Sequence, residues 1–221
     1  MTPSLRTEDL TIRFGGHAAV NGVTASFRPG ELTVIVGPNG AGKTTWFNLV
    51  SGQLTPTSGR IFKGETEITG LSPSARARLG IGRAFQLTNL FPKLTVRENI
   101  RLVVQARSGK GWDFFRRASR LSDVNAETEE HLANSRLETV AELPASALPH
   151  GDQRKLEVAM MIAMKPDIFM FDEPTAGMSS AEAPAILDLI AAIREDRSKT
   201  ILLVEHKMDV VRKLADRIVV L

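Results

Sequence analysis

Cysteine is absent from this 221-residue sequence. Without thiols there is neither a disulfide framework nor a thiolate metal site, and the chain suits a reducing compartment. Tyrosine is absent too, and aromatic residues make up only 5% of the chain. Charge of one sign is scarce: 28 Lys and Arg against 25 Asp and Glu leave a formal net charge of +3. With no long basic tract either, composition implies no polyanion partner. No apolar stretch approaches the roughly 18 residues of a membrane span, and Asp188 breaks the candidate run around it. The first eight residues lack the apolar core of a signal peptide. Internal repeats and low-complexity segments are missing as well.

What is present begins with a hydrophobic content of 43%, enough for a real core and against disorder. The length fits one large domain, or one core carrying an inserted subdomain. The most informative stretch is Gly37-Pro38-Asn39-Gly40-Ala41-Gly42-Lys43-Thr44-Thr45. An apolar run, Leu32 to Val36, precedes it and reads as a buried strand; Trp46 to Val50 reads as the first turns of a helix. Strand, glycine-rich loop and helix form the context of a phosphate-binding loop. Its glycines let successive N–H groups converge on an anion, and the helix adds its positive end. Lys43 supplies a charge for the terminal phosphates, and the Thr44 hydroxyl is placed for Mg²⁺. The chain is expected to bind a nucleoside triphosphate.

Residues 5–14 and 23–27 read as strands, and those near 59–62 and 66–68 fit a small antiparallel layer. Ser72 is a candidate N-cap with Pro73 at the first helical position. Residues 81–85 read as a brief strand. Thr95 and Glu98 form a capping-box pattern. The stretch 123–141 is polar with apolar residues at helical spacing. Alternating strands and helices return with a helix over 153–164, strands over 168–171 and 200–204, helices over 180–194 and 207–215, and a last strand from Arg217. The expected fold is an α/β phosphate-loop NTPase (RecA-like) core with an antiparallel β layer and an inserted helical subdomain. The expected boundaries are 1–85 for the first part of the core, 86–150 for the helical subdomain and 151–221 for the rest.

A second signal is Ile168-Phe169-Met170-Phe171-Asp172-Glu173-Pro174. Four apolar residues and then two carboxylates describe a buried parallel strand whose C-terminal end opens into a crevice, where ligands of open α/β sheets bind. Side chains of adjacent strand residues diverge, so the two acids have different tasks. Asp172 suits Mg²⁺, directly or through its water; Glu173 suits the attacking water, as general base or orienter.

Together these motifs resemble those of the ATP-binding-cassette ATPases, and the likeness extends over essentially the whole chain. It implies that Phe14 stacks on adenine, a place no tyrosine can fill here. It implies that Gln86, in Arg83-Ala84-Phe85-Gln86-Leu87, is a switch reaching Mg²⁺ and the attacking water. It also implies that His206, following Ile201 to Glu205, bonds the γ-phosphate. The family's signature, Leu-Ser-Gly-Gly-Gln, is matched irregularly by Leu148-Pro149-His150-Gly151-Asp152. Leu148 and Gly151 agree, while the Ser hydroxyl is replaced by Pro149. Ala176-Gly177-Met178-Ser179 stands where many members have Ser-Ala-Leu-Asp.

Within the family the chain is most similar to ATP-binding subunits of branched-chain amino-acid importers, with urea and amide importers as relatives. That resemblance rests on Phe14 to Asn21, Phe85 to Ile100, the Pro-His-Gly-Asp-Gln segment and Ala176-Gly177-Met178. It implies two cassettes paired head to tail around two ATP, each site completed by the other chain's Leu148–Gly151 segment. It further implies transmembrane permease subunits, an extracytoplasmic solute-binding protein acting indirectly, and a peripheral position on the cytoplasmic face of a bacterial membrane. Members continue past the position of Leu221, so a truncated C-terminus is expected. A non-transport cassette ATPase acting on nucleic acid is the rival reading. It is disfavoured because neither sustained heptads nor a second phosphate loop is present, and no nucleic-acid partner is expected. A phosphate-loop GTPase lacks its Asn-Lys-x-Asp here, and neither it nor a kinase explains the segment from Leu148.

Overall fold

The computed structural model describes residues 4–84, 90–108 and 117–221, with the backbone alone for 117–121. The strands are β1 (Leu5–Phe14), β2 (His17–Phe27), β3 (Leu32–Val36), β4 (Ser58–Lys63), β5 (Thr66–Glu67), β6 (Ile81–Ala84), β7 (Ile168–Asp172), β8 (Thr200–Val204) and β9 (Arg217–Val220). The helices are α1 (Lys43–Ser51), α2 (Pro73–Arg78), α3 (Val96–Arg107), α4 (Arg117–Asn134), α5 (His150–Ala163), α6 (Ala183–Arg194) and α7 (Met208–Leu214). They fall into two compact units. One holds Met1–Ala84, Pro166–Pro174 and Ala191–Leu221; the other holds Phe85–Lys165 and Thr175–Ile190.

The first unit contains two sheets. A five-stranded sheet in the order β6-β7-β8-β3-β9 has parallel neighbours throughout. Every residue of β7 and β8 is buried, which is why both read as unbroken apolar runs rather than alternating ones. A four-stranded antiparallel sheet, β2-β1-β4-β5, forms the expected second layer. β2 begins at His17, earlier than the expected Val23, because register shifts along its pairing with β1 spoil the alternation. The core joins Leu5, Phe27, Trp46, Phe47, Met170 and Leu202. Ser72 caps α2 by accepting from Ala75 N, with Pro73 in the first turn.

One polar residue in this unit is more buried than expected from its type. Arg76 is 1% exposed. Its guanidinium donates to the carbonyls of Leu49 (2.6 Å), Val50 (2.7 Å), Thr69 (2.7 Å) and Leu71 (3.0 Å). Two of these belong to the last turn of α1, so the cation sits at the negative end of the helix that starts at the phosphate loop.

The second unit is helical. Val96, Ile100 and Val104 of α3, Leu132 of α4, and Leu156, Ala159 and Ala163 of α5 share one core. Thr95 caps α3 by accepting from Glu98 N at 3.1 Å, and Glu98 accepts from Thr95 N at 2.9 Å, the expected capping box. The expected boundary at residue 150 falls inside this unit, because α5 supplies part of its core. α4 ends at Asn134, short of the expected 141. There the Ser135 hydroxyl bonds the His131 carbonyl at 2.6 Å, Arg136 takes a left-handed conformation (φ 55°), and a 3-10 turn follows over Glu138–Val140.

Candidate functional site

Three neighbouring strands of the parallel sheet, β7, β8 and β3, end at the same edge. Gly37 to Gly42 leave the end of β3 and lead into α1. Gly42 is the N-cap at φ 87°, and a Cβ there would lie 2.2 Å from the Ala19 carbonyl oxygen. Only glycine satisfies both the left-handed backbone and that approach. Lys43, Thr44 and Thr45 form the first turn. The Lys43 ammonium is buried and donates to the carbonyls of Gly37 (2.7 Å) and Pro38 (2.9 Å), folding the loop around itself. The Lys43 charge and the N-terminus of α1 therefore share one loop, the setting of an anion site.

Asp172 closes β7. Its side chain is fully buried and shared by two partners: Oδ1 lies 3.4 Å from the Thr44 hydroxyl, and Oδ2 accepts from Arg83 Nη2 at 3.1 Å. Burial pushes the Asp172 carboxyl up, and the Arg83 guanidinium pulls it back toward the charged form. Burial likewise lowers Arg83, against the pull of Asp172. Thr44 and Asp172 thus present a hydroxyl and a carboxylate oxygen side by side, donors of the kind a hard divalent cation takes.

Glu173 follows at φ 49°, a left-handed conformation unusual for a residue with a side chain. Its N–H donates to the Val204 carbonyl at 3.1 Å. Its Oε1 lies 2.8 Å from Nε2 of His206, just beyond β8. A carboxylate and an imidazole in hydrogen-bond contact can together orient a water and accept its proton.

Phe14 ends β1 and is 53% exposed, so it is not a core phenylalanine and its ring is available for stacking. Gln86 lies outside the described residues. Leu148 and Gly151 are in the helical unit. The Leu148 side chain is 5% exposed and belongs to that unit's core. It is taken up by packing in the cluster that also holds Ala145 and Leu156, which leaves the expected nucleotide contact to the backbone of this segment. Gly151 lies in the first turn of α5, with Glu182 Oε1 2.5 Å from where a Cβ would stand. Glu182 also accepts from the Ser179 hydroxyl at 2.7 Å, and His150 lies beside Gly177. The signature-like and Ala176–Ser179 segments are therefore joined within this unit.

Arg83 was not singled out by sequence, although it sits in the stretch quoted for Gln86. No local signal marks it, since its partners Asn48, Ser51 and Asp172 come from distant segments.

Comparison with known proteins gives the family of the chain. Residues 20–176 match the family model described as ABC transporter. The high-affinity branched-chain amino acid transport ATP-binding protein LivG of Salmonella typhimurium is 41% identical over 226 residues, covering 99% of this chain and 88% of its own. BraF of Pseudomonas aeruginosa, described in the same words, is 39% identical over 228 residues, with the same coverage. A nucleotide-free ATP-binding cassette from an ABC transporter superposes with a TM-score of 0.82 at 26% identity, covering 100% of this chain and 88% of its own. The dimeric bacterial ABC transporter cassette MJ0796 gives 0.82 at 27% identity, covering 98% and 94%. With the phosphate loop, the acid pair and the histidine arranged as described, the chain belongs to the ABC transporter family and is one of its ATP-hydrolysing cassettes.

Proposed function

We propose that this chain powers an importer of branched-chain amino acids, as a peripheral ATPase subunit on the cytoplasmic face of the membrane. The observation that carries the ATPase part is the Glu173–His206 pair at the strand edge that bears the phosphate loop. Identity of 41% to LivG along 99% of the chain supports the solute class. In this reading Lys43 turns from the Gly37 and Pro38 carbonyls to the β- and γ-phosphates, and the N–H groups of 37–45 hold their oxygens. Phe14 stacks on the adenine. Thr44 and Asp172, with Gln86, hold Mg²⁺, which when bound neutralises charge on the transferring phosphoryl group. Glu173 takes the proton of the attacking water, and His206 passes a hydrogen bond to the γ-phosphate.

The partners in this reading are a second cassette and the permease subunits. The N-terminus of α5 and Gly151 cap the ATP held by the second cassette, head to tail, without the usual serine hydroxyl. The helical unit faces the permease. Its exposed Phe91 and Leu143 supply apolar surface for that contact. Among the described residues no helix is long and apolar enough to cross a membrane, and the solute's path is assigned to the permease.

Co-expression with candidate permease subunits tests the reading. Membrane vesicles holding the complex should accumulate leucine, isoleucine or valine only with ATP inside and the binding protein outside. A complex that hydrolyses ATP but accumulates urea or an amide instead contradicts the solute assignment.

A further inference from the structure

We propose that Arg83 is a positioning residue for the metal-binding carboxylate: its forked guanidinium fixes the orientation of the Asp172 carboxylate, so that one oxygen is held by Arg83 while the other faces Thr44. The inference rests on the reading that Thr44 and Asp172 hold the Mg²⁺ of bound ATP.

Arg83 lies on β6, next to β7 in the parallel sheet. Its side chain is 6% exposed and that of Asp172 is 0% exposed. A guanidinium withdrawn so far from water is costly unless it is paired, and both terminal nitrogens of Arg83 are bonded. Its Nη1 donates to Asn48 Oδ1 at 2.6 Å and to Ser51 Oγ at 2.9 Å, both on α1. Its Nη2 donates to Asp172 Oδ2 at 3.1 Å. The group also stands 5.6 Å from the centre of the Phe47 ring. One planar cation therefore connects the helix that follows the phosphate loop to the strand that carries the metal-binding acid. Its donors point in fixed directions, so gripping α1 with one nitrogen determines where the other meets Asp172.

The carboxylate is divided as a result. Oδ2 is held by a charge-assisted bond, and Oδ1 is left 3.4 Å from the Thr44 hydroxyl. Rotation that would turn Oδ1 away from Thr44 breaks the Arg83 bond inside a buried site. Arg83 thus acts on the cation through Asp172, as second-sphere partners of metal ligands do. A purely structural arginine would stabilise the fold without distinguishing nucleotide binding with metal from nucleotide binding without it.

The test is a titration of the full chain with a fluorescent ATP analogue, in EDTA and over a range of Mg²⁺ concentrations, for the parent and Arg83→Gln. The parent should bind nucleotide more tightly as Mg²⁺ rises. Arg83→Gln should require about tenfold more Mg²⁺ for half of that effect, while its affinity in EDTA stays within about twofold of the parent by the same reasoning. Arg83→Lys, which keeps the charge but loses the fork, should stay closer to Arg83→Gln than to the parent. A parental Mg²⁺ requirement in Arg83→Gln, or an equal loss with and without metal, overturns the positioning role alone. A parent whose nucleotide affinity ignores Mg²⁺ overturns the metal reading and this inference with it. Should Arg83→Gln not fold, Asn48→Ala removes one anchor and keeps the cation; it should raise the Mg²⁺ requirement about threefold, part of the second-sphere effect, and an unchanged requirement overturns the proposal.

Discussion

Nε2 of His206 stands 2.8 Å from Oε1 of Glu173, where two neighbouring buried strands leave the sheet. Glu173 holds its place with a left-handed backbone, a conformation that costs roughly 1–2 kcal/mol for an L-residue. Strain of this size persists where the surroundings over-determine the position; here the Val204 carbonyl and the imidazole do so. His206→Ala removes the group that orients this carboxylate. It should lower the single-turnover rate of ATP hydrolysis by about 100-fold, the lower end for a positioned acid–base group, with ATP affinity little changed. A loss below about threefold would leave His206 no part in the chemistry by the same scale.

Gly40 and Gly42 of the phosphate loop are both left-handed but have different surroundings. At Gly42 a Cβ would meet the Ala19 carbonyl oxygen at 2.2 Å, whereas at Gly40 (φ 84°) nothing lies within 4 Å. Gly40→Ala should therefore cost about 1–2 kcal/mol of backbone strain only. Gly42→Ala should cost more, since backbone must move as well, and should abolish nucleotide binding. Denaturant unfolding of both variants decides it; equal stabilities would mean the loop yields freely at Ala19.

Acid should weaken the helical unit in two stages. Arg107 donates to Glu127 at 2.6 Å and Lys165 approaches it at 2.7 Å; with the Arg107 bond the larger influence, the carboxyl falls from its ordinary 4.5 to about 2. The folded chain therefore holds this proton less readily than the unfolded chain. Its stabilising contribution is complete above pH 4.5 and is lost as pH falls toward 2. On the same cluster, burial pushes His131 below its ordinary 6.5, so stability is also lost as pH drops through that value, where the unfolded histidine takes a proton. Glu127→Gln should remove on the order of 1–2 kcal/mol at neutral pH, allowing for screening. It should flatten the lower stage of a stability–pH curve and deepen the upper one, because Glu127 lies 3.6 Å from His131 Nε2 and opposes the effect of burial there. An unaltered lower stage would assign acid sensitivity to other carboxylates.

Pro149 is the N-cap of α5 and supplies no side-chain cap. Pro149→Ser gains about 1 kcal/mol from a capping hydroxyl and loses about 0.4–1 kcal/mol through a looser unfolded chain, so stability should barely change. The rate of ATP hydrolysis should rise, because the hydroxyl missing from the signature-like segment is restored. An unchanged rate would show that the hydroxyl is dispensable to this cassette.

Much of this site was legible in the sequence because its parts are local. The loop from Gly37, the Asp172-Glu173 strand end and the Thr95 capping box each depend on residues within a few positions of one another. Arg83 and Arg76 were not legible, because their partners come from distant segments: Asn48, Ser51 and Asp172 for one, the α1 carbonyls for the other. A lone charged residue in a short strand or helix carries no mark of burial. The end of α4 was misplaced for a different reason. Leu137, Val140 and Ala141 keep a helical spacing, but the chain turns at Arg136 and delivers Leu137 and Ala141 to the same core from a 3-10 turn. Periodicity reports which residues face a core, not whether one continuous helix carries them there.

The most direct measurement is made on Glu173→Gln, which keeps the volume and hydrogen bonding of the side chain but cannot accept the proton. ATP turnover should fall by about 10²–10⁴-fold, nucleotide affinity should be retained, and light scattering with ATP·Mg²⁺ should find a stable pair of chains. Hydrolysis at the parental rate would contradict the account at its centre.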